Sequence, residues 1–307
     1  MFYMFFWACA SNGPATAPAV TSPSPHPVDK PETQIQEAAP IPPKSQEAPL
    51  VWTLDSFQKP ESVLIDFKTS RLWVSNIIGQ PTEKDGKGTI LELSLDGKLL
   101  TQNFTTDLTL HAPKGMCILD DAMYIADIDV VHVVSVHTGA HRYDVPIEGA
   151  EFLNDMVCSF NEAYVSDSST GRIHRIYKEG KAELVVDLSP AKPNGLAFQG
   201  VRLFVADFAS STVSKLKPTG EIETQWTVPK GGLDGIAVLR DRSIVVSSWE
   251  GQGIYRISQD GTLSTLASDL IAPADFAVDQ RHNQLLVPQL TENQISLIPL
   301  AWPAEQK

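Results

Sequence analysis

The 307-residue chain has only three cysteines, Cys9, Cys117 and Cys158, too few and too far apart for a disulfide-built scaffold or a cysteine-rich zinc site. Positive charge is also scarce. Lys and Arg number 24 against 37 Asp and Glu, a net charge of −13 with no basic run to offset it, which argues against a nucleic-acid partner and favours a small neutral or cationic ligand. No apolar run approaches the roughly 20 residues of a membrane-spanning helix, so contact with a membrane is expected only through an anchor. Amphipathic helical periodicity is missing from residue 50 onward, and there is no G-x-S-x-G elbow to suggest a serine nucleophile. What is present is a globular composition, 42% hydrophobic and 20% charged, sufficient for a large core.

The N-terminal residues stand apart from that average. Met1 to Ala10 (MFYMFFWACA) is intensely apolar and reads as a signal-peptide core. Such signals open with Lys or Arg, and none precedes Cys9, which suggests a start upstream of Met1. Phe6-Trp7-Ala8-Cys9 resembles a degenerate lipobox of bacterial lipoproteins, so Cys9 is the expected lipidation site; cleavage nearby or an uncleaved apolar end is the alternative. Residues 11–49, rich in Pro, Ala, Ser, Thr and Gln, cannot offset the entropy of folding and are expected to form a tether. A folded domain over 50–300 and a tail over 301–307 complete the expected organisation. The molecule is expected to be an exported monomer, periplasmic or at the cell surface.

An internal repeat sets the fold class. Six segments answer one another: Pro60 to Ile65 (PESVLI), Pro113 to Ile118 (PKGMCI), Leu153 to Cys158 (LNDMVC), Pro193 to Phe198 (PNGLAF), Leu233 to Val238 (LDGIAV) and Pro273 to Val278 (PADFAV). The last five begin 40 residues apart; the first interval is 53, with the excess in the Gly/Pro/Lys-rich stretch from Gly79 to Gly88. Each segment is followed by three further alternating or β-branched runs separated by polar turns. Four strands per repeat and six repeats predict an all-β, six-bladed propeller with four-stranded antiparallel blades. The last repeat lacks an outer strand, and Leu50-Val51-Trp52-Thr53-Leu54 is expected to supply it, closing the ring and removing an exposed edge.

Innermost strands run beside a propeller's axis, so the second position of each segment should point at the mouth of the central tunnel. Those positions are Glu61, Lys114, Asn154, Asn194, Asp234 and Ala274. Five polar residues at one site of an otherwise apolar repeat imply that something polar is held there. Two carboxylates and two amide oxygens form a hard donor set suited to Ca2+ or, less well, Mg2+. Equally, the groups could satisfy one another and ordered water.

PNGLAF followed by Leu203-Phe204-Val205-Ala206-Asp207, the Asn154-Asp155 pair, LDGIAV and the leading Glu61 together resemble the senescence marker protein, gluconolactonase and luciferin-regenerating enzyme family, over residues 50–300. That resemblance implies a six-bladed propeller, one divalent metal and hydrolysis of lactones or related esters. It makes Glu61, Asn194 and Asp234 metal ligands, Asn154 a further metal or substrate contact, and Asp234 also the general base. Ca2+ is the expected ion, with Mg2+, Mn2+ and Zn2+ as further candidates, and the partner is a small-molecule substrate. The chain departs from the family's pattern at Ser62-Val63, where Gly-Pro is usual, and at Phe152-Leu153, where a basic residue often precedes the Asn-Asp pair. Lys114 leaves two readings open. Its ammonium pairs with Glu61 or Asp234 in place of a metal, giving a non-catalytic ligand- or protein-binding propeller, or it contacts an anionic substrate group or oxyanion and takes part in catalysis.

Other residues have more local expectations. Asp127, Asp167 and Asp207 share one repeat position and should bond to turn backbone between blades. Asp275 could add an acidic group at the mouth. His111 is expected in a solvated loop or as a proton shuttle, and His132, His137 and His141 at the surface. Cys117 and Cys158, one register apart on neighbouring inner strands, are expected to be buried free thiols.

Overall fold

Residues 50–300 are those described by the computed structural model, and every regular element among them is a β-strand. Cys9, the proposed tether and residues 301–307 lie outside the described residues. Blade 1 comprises β2 (Pro60–Asp66), β3 (Arg71–Asn76), β4 (Thr89–Ser94) and β5 (Leu99–Thr101). In blade 2 the strands are β6 (Pro113–Leu119), β7 (Ala122–Asp127), β8 (Val130–Ser135) and β9 (His141–Pro146), and in blade 3 β10 (Leu153–Ser159), β11 (Glu162–Asp167), β12 (Arg172–Tyr177) and β13 (Ala182–Asp187). Blade 4 follows with β14 (Pro193–Gln199), β15 (Arg202–Asp207), β16 (Thr212–Leu216) and β17 (Ile222–Thr227), and blade 5 with β18 (Leu233–Val238), β19 (Ile244–Ser248), β20 (Gly253–Ile257) and β21 (Leu263–Ser268). Blade 6 takes β22 (Ala277–Asp279), β23 (Gln284–Gln289) and β24 (Gln294–Pro299) from the C-terminal end and β1 (Leu50–Thr53) from the N-terminal end.

Closure occurs where the repeat arithmetic placed it. β1 lies antiparallel to β24 with Leu50 opposite Leu297 and Thr53 opposite Gln294, so the first described strand completes the last sheet. The surplus of the first repeat forms the loop between β3 and β4. It emerges at the end of β3, beside Pro60 and thus beside the start of β2.

Apolar faces meet between blades. Val63, Leu72, Leu91 and Leu286 pack blade 1 on blade 6, whereas Trp73, Ile90, Met123 and Ile125 pack blade 1 on blade 2. Comparable clusters join the remaining neighbours, so each alternating strand buries one set of side chains against the preceding blade and the other against the next. A polar residue at the end of each second strand clamps the loop entering the same blade. Asp127 accepts from the amides of His111 and Ala112 at 2.7 and 2.8 Å, Asp167 from Glu151 and Phe152 at 3.0 and 3.1 Å, and Asp207 from Lys192 at 2.8 Å. The turn-bonding expectation for these aspartates holds.

Cys117 and Cys158 form a disulfide, with their Cα atoms 5.5 Å apart, which corrects the expectation of free thiols. The one-register argument presumes that the two residues belong to one pleated sheet. They stand instead on β6 and β10, in different sheets, and each strand carries a bulge that resets its pleat.

Candidate metal centre

The side chains reach the axis because of a backbone irregularity repeated in the inner strands. In β6, β10, β14 and β18 two residues oppose one on the neighbouring strand: Lys114 and Gly115 face Ala126, Asn154 and Asp155 face Ser166, Asn194 and Gly195 face Ala206, Asp234 and Gly235 face Ser247. A single residue, Glu61, is inserted in β2. Such bulges re-aim a side chain and leave backbone groups unpaired. Nearby residues take up the freed groups. The Asp155 and Gly235 amides donate to the hydroxyls of Ser166 and Ser247 at 3.0 and 2.8 Å, and these hydroxyls donate onward to the Asn194 and Ala274 carbonyls of the next blade at 2.7 and 3.1 Å.

The third position of each segment faces the neighbouring inner strand. Glycine there admits close approach: a Cβ on Gly195 would lie 2.1 Å from the Asp234 carbonyl oxygen, and one on Gly115 2.5 Å from the Asp155 Cα. Blades 3 and 6 carry carboxylates instead. Asp155 accepts the amides of Met156 and, across the blade boundary, Leu196, at 2.5 and 2.6 Å. Asp275 accepts the Ser62 hydroxyl at 2.5 Å, while its amide donates to the Glu61 carbonyl at 3.0 Å. Just before the short β22, Asp275 bridges to Ser62 of blade 1 and Pro273 to Gln289 of β23.

Glu61, Lys114, Asn154, Asn194, Asp234 and Ala274 are all buried, none more than 6% exposed. Burial raises the carboxyl of Glu61 well above its ordinary range, reinforced by the charges of Asp234 and Asp275 and opposed by Lys114. Asp234 is pushed up to about 8 by burial and then by Asp275, against the hydrogen bond it accepts from Trp249. Burial likewise lifts Asp275 to about 7 and Asp155 well above the usual carboxylate range.

At the ring positions three buried side-chain oxygens have no hydrogen-bond partner: Glu61 Oε2, Asn194 Oδ1 and Asp234 Oδ1. They belong to the three residues for which the family resemblance implies metal ligation. An unpaired buried acceptor costs roughly 1–3 kcal/mol, and more when charged. Three oxygens on inner strands around one axis, two from carboxylates, meet the needs of a hard divalent cation, so the residues fit the ion. The second Asp234 oxygen is fixed by the Trp249 indole N–H at 2.9 Å. Asn154 is held through its amide nitrogen, 3.3 Å from the Ser168 hydroxyl.

Lys114 does not form the ion pair that one of its readings required. Its ammonium donates to the Ala112 carbonyl at 2.8 Å and lies 4.5 Å from the centre of the Phe152 ring. Burial lowers its pKa, partly countered by the charges of Glu61 and Asp127. Sequence reasoning missed Asp155 as a buried acid and Trp249 as a partner of Asp234. The Asn154-Asp155 pair was itself a signal for the first, whereas nothing in the repeat pointed to Trp249, which lies in the loop between β19 and β20.

Beyond the axis, His111 sits in a loop and accepts the Gly86 amide at 3.1 Å. His137 is exposed and His141 half-buried, but His132 is only 5% exposed, which corrects its expected surface position. An inward-facing β8 side chain is buried whatever its polarity, and Asp144 on the paired strand meets its Nδ1. Two cavities of about 380 and 420 Å3 lie away from the ring, one lined by Leu239, Val278 and Leu300, the other by Leu188, Pro190 and Ile222.

Fold and site together define a six-bladed, all-β propeller with an acidic cluster buried on its axis. No family model and no curated protein matches the chain. Similar solved structures include a catalytically inactive histidine-to-alanine form of virginiamycin B lyase from Staphylococcus aureus with quinupristin, at 14% identity and a TM-score of 0.60, covering 82% of this chain and 99% of that one. Another is a streptogramin B lyase, at 15% identity and a TM-score of 0.59, covering 82% and 97%. The likeness is one of fold.

Proposed function

We propose that the protein is a divalent-cation-dependent hydrolase of lactones or related esters, with its reaction centre at the propeller axis. The carrying observation is the set of unpaired buried oxygens on Glu61, Asn194 and Asp234. These residues would hold the ion, Ca2+ by their hard oxygen character, and Asn154 would add a contact to metal or substrate. A bound cation supplies Lewis-acid polarisation of the ester carbonyl. Asp234 would face the ion with its unpaired oxygen, while the oxygen that the Trp249 indole N–H orients keeps a second lone pair that would take a proton from water. Lys114, held by Ala112 and Phe152, would place an ammonium beside the developing oxyanion. The disulfide accords with the proposed export, since such bonds persist in oxidising compartments.

The neighbouring folds are named as lyases, one of them in an inactive form made by replacing a histidine. None of the six ring positions in this chain is histidine. The carboxylates of Glu61 and Asp234 are the bases that this ring offers.

The test is calorimetric titration of Ca2+ into the chelator-treated protein beside Asp234→Ala, followed by a panel of lactones and aryl esters that includes quinupristin. Saturable binding lost in the variant, with hydrolysis that stops on chelation, is the expected result. Product mass separates the chemistries, since hydrolysis adds one water and elimination adds nothing. Absence of Ca2+ binding to the native protein would replace this reading with a non-catalytic ligand- or protein-binding propeller.

A further inference from the structure

A second cluster of ligating side chains lies in blade 2, on strands β8 and β9. His132 and Asp144 are cross-strand partners, and His141 precedes Asp144 by three residues on β9. The Nδ1 of His132 and the Nε2 of His141 both lie 2.7 Å from the same oxygen of Asp144. One ligand atom from each residue falls within 4.8 Å of the other two. Burial is graded across the cluster: the His132 side chain is 7% exposed, His141 30% and Asp144 46%, so the group is rooted in the blade and open to water on one side.

The ring of His132 carries the argument further. Its Nε2 is buried without a hydrogen-bond partner, 3.6 Å from the carboxylate of Asp127. That carboxylate is itself buried and holds the loop amides of His111 and Ala112. A metal-ligating histidine directs its second ring nitrogen, as N–H, towards an orienting carboxylate. With Nδ1 bound to a metal, the Nε2–H of His132 would face Asp127 in that way. Without a metal, Nδ1 of His132 and Nε2 of His141 share one Asp144 oxygen, and the Nε2 of His132 has only the Asp127 carboxylate, 3.6 Å away, to face.

We propose that His132, His141 and Asp144 form a second metal site, distinct from the axial one, that takes a divalent transition metal of the zinc class. Two imidazoles and one carboxylate suit such an ion at about 2.0–2.2 Å from each donor, and the open side leaves a fourth position for water. The axial oxygens prefer a hard cation and this site a borderline one, so the two divide metals by donor type. Through Asp127, the bound ion would brace the loop that leads into Lys114.

The experiment uses the untagged full-length protein, stripped with chelator and titrated with Co2+ as a spectroscopic stand-in, then with Zn2+ in competition. We expect one equivalent of Co2+ to give intense visible bands of low-coordinate, nitrogen-containing geometry, displaced by Zn2+, abolished in His141→Ala and in Asp144→Asn, and retained in Asp234→Asn. His141 and Asp144 are partly exposed, so their variants should fold; circular dichroism checks this, and Zn2+ should raise Tm in the native protein but in neither variant. Absence of the bands, uptake only at millimolar metal, or bands that survive both substitutions would overturn the proposal. Failure of Ca2+ to bind at the axis would leave it standing, because no residue is shared.

Discussion

The candidate site turns on individual oxygen atoms. Asp234 has one oxygen bound by Trp249 and one unpaired, so the indole sets both the orientation and the basicity of the proposed base. Trp249→Phe keeps the ring but removes the donor. It should weaken Ca2+ binding by about tenfold or more, in the range seen when a ligand's supporting hydrogen bond is lost. Titration calorimetry of the two proteins checks this, and equal affinities would show that Trp249 does not position Asp234. The six ring positions were legible because they recur at one place in a repeat. Trp249 was not, since a loop residue without a counterpart in the other blades carries no periodic signal. Asp155 was visible in sequence, but its burial depends on the bulge that turns two consecutive residues inward, and strict alternation cannot show that.

At the level of elements, four strands per repeat and the borrowed strand β1 were both readable, because propeller closure is arithmetic: a repeat short of a strand at one end needs a strand from the other. Pairing of β1 with β24 gives that arithmetic a physical consequence. Residues 50–57 include Trp52 and Leu54, packed on the cluster between blades 1 and 6, and the buried Phe57. Deleting them exposes an edge as well as that cluster, and loss of a buried Phe alone costs about 3–5 kcal/mol. Tm should fall by about 10 °C or more on this deletion, yet stay unchanged when residues 11–45 are removed. Thermal unfolding of both truncations decides the matter; an unchanged melt for the first would mean that the ring holds without its closing strand. The disulfide illustrates the limit of strand-based reading. Register relates residues within a sheet, whereas Cys117 and Cys158 approach each other between sheets, at a distance set by the splay of blades around the axis.

Across the whole molecule, the axis concentrates a charge problem that the fold alone does not solve. Glu61, Asp155 and Asp234 are buried and Asp275 half-buried around a single buried ammonium, Lys114, and desolvation raises all four carboxyls. A carboxyl with a raised folded-state pKa binds more protons in the native than in the unfolded chain between the two pKa values, so native stability falls as pH rises across that interval. For Asp275 and Asp234 the interval runs from the ordinary carboxylate range up to about 7 and about 8 respectively. In chelator, therefore, Tm should decline from pH 5 towards pH 8, apart from any contribution of groups elsewhere. A divalent cation replaces those protons as the counter-charge, and added Ca2+ should flatten the decline while raising Tm most at the alkaline end. The same exchange predicts that Ca2+ binding at pH 7 releases protons, because ligands must ionise to bind. Calorimetry in buffers of different ionisation enthalpy measures their number directly. Binding without proton release would mean that the carboxylates are already ionised around some other cation, and Lys114 is the one ammonium buried among them.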